Sequence, residues 1–425
     1  AGVPLINIVG DHATYHRAYF PPLAADAEAA ARPFSHWVAM ATSTGTIGHE
    51  MAACIEAAHA PPGKVATLIV PADIAWSEGA TVRTIAPPPA PAAVPSEAVK
   101  RAVEILKSGE PAALMLAGAA ALDAGMIAAG KISGASGARL FGQMFNTRIA
   151  RGRHLPALEL VPYNVDLALE KLGGLKHIIL AGARPPVAFF AYPELPSSLA
   201  PADCQFTVLA GEGEDGVAAL ESVAEEFGGA GQGEAAARQA LKPATGALTP
   251  DGISQSIGAL LPEGAVVVNE ALTSGRNLFQ LTADAAPHDW LELTGGSIGI
   301  GIPLATGAAV ACPDQRTVCL QADGSGMYTL QGLWTQAREN LNVTTVIYAN
   351  RAYAILKQEL ENLGVSEPGR NATDMMDLGR PDLDWVCLAN GMGVEGVKVT
   401  SAKQFNDAFK ASLTRDGPFL IEAVV

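Results

Sequence analysis

The chain has 425 residues, 49% of them hydrophobic and 17% charged, an ordinary globular balance that excludes a disordered or fibrous polypeptide. Its formal net charge of −15 argues against a nucleic-acid partner, because a phosphate backbone demands clustered Lys and Arg and no basic stripe is present. The five cysteines (Cys54, Cys204, Cys312, Cys319, Cys387) show neither CxxC nor zinc spacing, which fits a reduced, cytoplasmic setting.

In chain order, residues 1–80 alternate strand and helix. Residues 3–9 read as a buried strand. Ile47–His59 has helical spacing, with Ile47, Met51, Cys54, Ile55 and Ala58 on one face, and Val65–Pro71 reads as a second buried strand. A chain that opens at Ala1 on a core strand suggests that the N-terminal part of this first domain lies upstream. The proline-rich stretch 85–95 predicts an extended linker. Residues 96–230 form a second alternating unit, with a helix over Ser96–Lys107, strands at 112–118, 177–182 and 205–209, and a glycine-rich second linker at 228–233. Residues 245–425 form the third. Thr249-Pro250-Asp251 opens its first helix, since Thr can cap and Pro is at home in the first turn. Strands follow at 265–268, 317–321, 344–348 and Phe419–Val424.

Strands alternating with helices imply parallel sheets covered on both faces. The expected fold class is therefore α/β: three successive doubly wound parallel-sheet domains over 1–80, 96–230 and 245–425. The uncharged run 293–312 is long enough to span a bilayer, but its glycines and Pro303 point to a buried loop followed by a core helix. No membrane partner is expected, and the first residues do not read as a signal peptide.

The most informative stretch is Ala322-Asp323-Gly324-Ser325 at the end of an apolar strand, followed by Asn350 at the end of the next. Between them a helix is expected to set Leu330, Leu333, Trp334 and Ala337 on one face. In a parallel sheet, ligands bind beyond the carboxyl ends of strands, so Asp323 and Asn350 should emerge side by side. A carboxylate, an amide oxygen and a nearby carbonyl supply half the octahedral oxygen shell that Mg²⁺ prefers. A helix N-terminus after Ser325 would favour a diphosphate. His12 and His16 lack a third ligand and are not read as a metal pair. The run 295–303 is no dinucleotide fingerprint, because Leu304 stands where G-x-G-x-x-G needs glycine.

These residues resemble the thiamine diphosphate-dependent enzymes, which carry Gly-Asp-Gly and, at this spacing, Asn. The likeness extends over essentially the whole chain and is closest to acetolactate synthase-like and benzoylformate decarboxylase-like members. It implies a pyrimidine-binding domain, a central Rossmann-like domain and a diphosphate-binding domain. It implies Mg²⁺ on Asp323, Asn350 and the Ala352 carbonyl, and diphosphate near Gly324, Ser325 and the main chain at Tyr353. Ala322 departs from the pattern, standing where the first glycine is expected. The resemblance also places Ile298 beneath the cofactor's thiazolium ring and gives the Gly296 carbonyl a hydrogen bond from the aminopyrimidine. The loop 269–274 either offers Thr273 and Ser274 to phosphate or is a plain capping loop.

The family's activating glutamate cannot be assigned to a residue here. Glu28, Glu50 and Glu56 read as solvated helix residues. A proton-transfer histidine of the benzoylformate decarboxylases falls near Phe190 in this chain, which puts that activity in doubt. The central segment shows no clear flavin fingerprint, since 118–120 and 182–184 read as strand-end turns, and FAD is not expected. The implied function is decarboxylation of a 2-oxo acid, acetolactate synthase-like, with ligation to a second carbonyl left open. The alternatives are a benzoylformate-type decarboxylase or a cofactor-binding but inactive fragment or subunit. The family likeness also implies a homodimer or homotetramer with the site at the subunit interface.

Overall fold

The computed structural model describes residues 2–228 and 241–425. All but the first residue of the glycine-rich linker expected at 228–233 lies outside the described residues. The chain forms two compact units, Ala1–Pro95 with Ala210–Asp215, and Ser96–Leu209 with Gly216–Val425.

The first unit holds β1 (Leu5–Asp11), β2 (Trp37–Met40) and β3 (Val65–Pro71), paired in parallel in the order β1-β3-β2. The central strand is the buried one: Ala66, Leu68 and Ile69 are at most 1% exposed. Helix Ile47–His59 packs Cys54 and Ala58 against Ala66 and Leu68. β1 departs from the buried strand expected of it, with Leu5 and Ile8 51% and 64% exposed. It pairs on one side only, and an edge strand leaves apolar side chains out wherever a face is uncovered. Glu50 also departs from the expectation. It accepts hydrogen bonds from the Thr42 N–H and from the hydroxyls of Thr42 and Thr46, closing the turn that leads into its own helix. Glu56 stays exposed, and Glu28 pairs with Arg32 along one helix face.

The second unit contains β4 (Ala112–Leu116), β5 (Arg139–Gly142), β6 (Ile149–Arg151), β7 (Glu159–Leu160), β8 (His177–Ala181) and β9 (Gln205–Ala210). It continues with β10 (Ala265–Glu270), β11 (His288–Leu291), β12 (Thr317–Ala322), β13 (Val343–Ala349), β14 (Glu395–Val399) and β15 (Phe419–Val424). One sheet runs β7-β5-β4-β8-β9, and the other runs β14-β15-β13-β12-β10-β11-β6. β4 and β8 are buried throughout, as their unbroken apolar runs require for a strand covered on both faces. The expected parallel sheets are present, and at one edge a short strand is added the other way, with β6 antiparallel to β11. β6 is only three residues long, too short to read from a pattern of alternation, and its Arg151 side chain is drawn in between the rings of Phe279 and Trp290.

Thr249 caps the helix Pro250–Leu260 by accepting the Gly252 N–H at 3.0 Å, with Pro250 in the first turn. The uncharged run 293–312 resolves into a glycine-rich loop and the helix Gly301–Ala311; among the described residues no helix is long and apolar enough to cross a membrane. The single helix expected after Ser325 is broken instead. One turn spans Asp323–Gly326, and a new helix starts at Gly332 and ends at Arg338. A 3.6-residue period holds only within a continuous helix, so the restart resets the face. Leu330 and Ala337 join buried Leu333 in the core, while Trp334 is 51% exposed.

Candidate functional site

β10, β12 and β13 are neighbours in one parallel sheet, so their carboxyl ends open at one edge. β12 delivers Asp323, which is 2% exposed. One carboxylate oxygen accepts the Gly324 N–H at 2.8 Å, and the other accepts the Arg351 N–H at 2.7 Å across from the end of β13. The expected adjacency of the Asp323 turn and the Asn350 loop is thus met by a direct bond between them. Arg351 takes a left-handed conformation (φ 57°) to aim that N–H, a strained backbone of the kind functional loops retain. Burial pushes the Asp323 carboxyl above the ordinary carboxylate range, and the two N–H groups only partly offset this.

Asn350 folds its amide oxygen onto the Ala352 N–H at 3.0 Å and donates from its amide nitrogen to the Ser274 hydroxyl at 3.3 Å. That bond brings the loop carrying Thr273 and Ser274 to the same place; both residues lie half-buried in the short turn Leu272–Gly275. Gly324 has no room for a side chain, because a methyl there would lie 2.7 Å from the Tyr353 ring. Two expected phosphate contacts look different in the structure. The Ser325 hydroxyl is buried and turned inward, accepting from Gln321 at 2.6 Å and donating to the Ala322 carbonyl at 3.2 Å. The Tyr353 N–H is taken up by the Met376 carbonyl at 3.0 Å. The one-turn helix Asp323–Gly326 also leaves the helix dipole small.

The second expected loop stands at the foot of the helix Gly301–Ala311. Ile298 is 45% exposed, a bulky apolar residue held open. Gly296 has φ 65°, and its carbonyl accepts the Ile298 N–H at 3.0 Å, which leaves one lone pair for a second donor. A methyl on Gly296 would fall 2.7 Å from the Phe189 ring. Phe189, rather than the neighbouring Phe190, is therefore the central-segment residue that meets this loop. Phe189 packs with Phe145, Tyr163 and Phe190 at centroid distances of 4.7–5.8 Å. A cavity of about 310 Å³ opens beside it, lined by Met144, Phe145, Val161, Pro186 and Val187 among others.

Sequence reasoning passed over two residues that belong here. Glu270 ends β10 and is 1% exposed; its oxygens accept the N–H groups of Gly299 and Gly301, each at 2.5 Å. Gln321 lies opposite it on β12 and is fully buried. The available signal was a polar residue closing an apolar strand, in Val266-Val267-Val268-Asn269-Glu270 and in Val318-Cys319-Leu320-Gln321.

The residues suit an Mg²⁺-diphosphate group on physical grounds. The buried Asp323 carboxylate is answered by backbone N–H donors and by no cationic side chain among the described residues, and cleft glycines leave no side chain in the way. Comparison with known proteins bears on the thiamine pyrophosphate part of that group. Residues 274–423 match the family model described as "Thiamine pyrophosphate enzyme, C-terminal TPP binding domain". The whole chain is 47% identical to a Mycobacterium tuberculosis protein named "Putative acetolactate synthase large subunit IlvX", over 82% of that protein's length. It is 30% identical to benzoylformate decarboxylase of Pseudomonas aeruginosa, over 43% of this chain and 33% of that one. The fold matches that of a thiamine diphosphate-dependent 4-hydroxybenzoylformate decarboxylase of Rhodococcus jostii RHA1, with a TM-score of 0.81 at 22% identity, over 99% of this chain and 82% of that one. With a relative this similar along its full length, and with the diphosphate end of the site matched by the family model, the chain belongs to the thiamine pyrophosphate-dependent enzymes of the acetolactate synthase and benzoylformate decarboxylase type.

Proposed function

We propose that the protein decarboxylates a 2-oxo acid with thiamine diphosphate and Mg²⁺ and passes the product carbon to a second carbonyl, in the manner of an acetolactate synthase. The observation that carries the reading is the joining of three strand ends by the Asp323–Arg351 and Asn350–Ser274 bonds. Asp323, the Asn350 side chain and the Ala352 carbonyl would hold the metal. Thr273, Ser274, Gly324 and the backbone at Ser325 and Tyr353 would surround the diphosphate, with Gly296 and Ile298 at the rings. When bound, the cofactor supplies the electron sink for loss of CO₂. The chain's own work is to orient that group, exclude water with Phe189 and Ile298, and hold Mg²⁺ charge against the phosphates. Open, apolar Ile298 supports a site completed by another protomer of a homodimer or homotetramer.

A second reading, a decarboxylase for aromatic 2-oxo acids, is favoured by the ring-lined cavity beside Gly296. Calorimetry with thiamine diphosphate, with Mg²⁺ and with the metal chelated, tests the cofactor assignment. A panel of 2-oxo acids then separates the readings. Acetolactate from pyruvate supports the first, free aldehyde from an aromatic oxo acid supports the second, and cofactor binding with no turnover leaves a binding subunit.

A further inference from the structure

Glu270 is a carboxylate inside the sheet, yet it makes no ion pair with Lys or Arg among the described residues. A buried charge without a counter-charge is a poor packing device, since an apolar side chain of similar size would be at least as stable. Its geometry shows what it does instead. One oxygen takes the Gly299 N–H and the other the Gly301 N–H, each at 2.5 Å. The Gly299 carbonyl is held from the far side by the Thr329 hydroxyl at 2.6 Å. The two successive peptide groups that flank Gly299 are therefore each held by a side chain, immediately after Ile298. Gly301 has no room for a side chain either, because a methyl there would lie 2.2 Å from the Gln321 amide oxygen and 2.8 Å from the Glu270 carboxylate. Glu270 pairs across the sheet with Gln321, whose amide donates to Ser325 in the Asp323 turn. A continuous polar path thus joins the Ile298 turn to the Asp323 turn through the interior.

We propose that Glu270 is a positioning residue for the cofactor, its carboxylate clamping the Gly299–Gly301 peptides so that Ile298 stands at a fixed distance from the Asp323 turn. The inference rests on the cofactor reading above and assigns Glu270 no contact with substrate. Burial pushes its carboxyl above the ordinary range while the N–H donors, Gln321 and Ser325 pull it back, consistent with a charge kept by its donors.

The test is a double-variant cycle read by calorimetric affinity for thiamine diphosphate with Mg²⁺, on the full chain. Glu270→Gln presents an N–H to one of the two backbone donors. It should weaken cofactor binding about thirtyfold, the usual loss for one charge-assisted hydrogen bond left broken. The combined Glu270→Gln, Ile298→Ala variant should bind far better than the product of the two single losses predicts, because Glu270 acts through Ile298. Ser412→Ala, which removes a buried hydroxyl bonded to Thr344 on another part of the sheet, should leave the affinity unchanged. If the wild type binds the cofactor and Glu270→Gln binds it equally well, or if the losses multiply, the proposal fails alone. If the wild type does not bind, it fails together with the cofactor reading. Should Glu270→Gln not fold, hydrogen exchange of the cofactor-free wild type decides. Gly301 opens a helix, where N–H groups normally lack a partner, so slow exchange at Gly299 and Gly301 supports the clamp and free exchange overturns it.

Discussion

At the carboxyl ends of β12 and β13, Asp323 is buried and answered by two backbone N–H groups; at the β11–β6 edge of the same sheet, Glu292 is buried and answered by side chains. Around Glu292 the Trp290 indole N–H and the Asn269 amide donate to the two carboxylate oxygens. Arg151 lies between the rings of Phe279 and Trp290 and donates to Thr282 and to the Phe279 carbonyl. Burial pushes Glu292 up to about 7, Arg151 down to about 9 and His288 down to about 4. Glu292 and Arg151 find their partners within that edge, while His288 uses one ring nitrogen on the Ala286 carbonyl and leaves its buried Nε2 without a partner among the described residues. At the Asp323 edge the donors are backbone groups fixed by the fold, and carboxylate lone pairs remain for a cation. Buried charge therefore marks a binding site only where its hydrogen-bonding capacity is left incomplete, and mutations at the two edges should report different things.

The largest effect is expected at Asp323. Asp323→Asn should weaken Mg²⁺-dependent cofactor binding about a thousandfold or more, since losing even a supporting partner of a metal ligand costs about 10–100-fold. Calorimetry measures it, and an unchanged affinity would break the comparison. At the other edge the effect is on stability and its pH dependence. The folded-state Glu292 value lies above the ordinary 4.5, so the folded chain holds the extra proton and this group's contribution falls as pH rises from about 4.5 to about 7. His288 lies below its ordinary 6.5, so its contribution rises with pH from about 4 to about 6.5. The two nearly cancel in the wild type. Glu292→Gln removes the falling leg, so its stability relative to wild type should climb by roughly 3 kcal/mol between pH 4 and pH 8. Denaturation midpoints across that range check it; a flat difference would mean that Glu292 titrates as a solvated carboxylate.

This contrast also explains what could be read from sequence. Asp323 and Asn350 were legible because each follows an apolar run and their spacing encodes strand–helix–strand, which fixes adjacency in a parallel sheet. The helix cap at Thr249 was legible for the same local reason. Glu270, Gln321, Arg151 and Glu292 were not, because a polar residue within a strand says nothing about its partner until the sheet order is known. The Glu270–Gln321 pair exists only through the β10–β12 register, and Arg151 reaches Trp290 only because β6 crosses to the other sheet. The inward turn of the Ser325 hydroxyl was not legible for that reason too: its partner Gln321 lies four residues back along a strand end. The inner face of a turn is invisible to spacing.

Gly296→Ala sharpens the boundary of the site. The substitution places a side chain at φ 65°, which costs about 1–2 kcal/mol, and presses a methyl against the Phe189 ring. The thermal midpoint should fall accordingly. Adding Phe189→Ala should recover the part due to the clash and leave the backbone part. If the second substitution recovers nothing, Phe189 is not the wall of the cleft.

The smallest effect expected is at Trp334, where the broken helix makes an unusual claim about an aromatic residue. A continuous helix from Ser325 would have buried Trp334 beside Leu333, and removing it would then cost as much as a core deletion, about 3–5 kcal/mol. The restart at Gly332 leaves the indole 51% exposed, with the Arg338 guanidinium 5.4 Å from its ring as its recorded partner. An exposed cation–π contact contributes about 0.5–1 kcal/mol, so Trp334→Gln should shift stability by no more than that. Leu333→Ala, one position earlier and fully buried, should cost about 2–5 kcal/mol. Measured side by side in denaturant, the two neighbours should differ severalfold. Equal losses would require the continuous helix, and with it a full helix dipole aimed at the Asp323 edge.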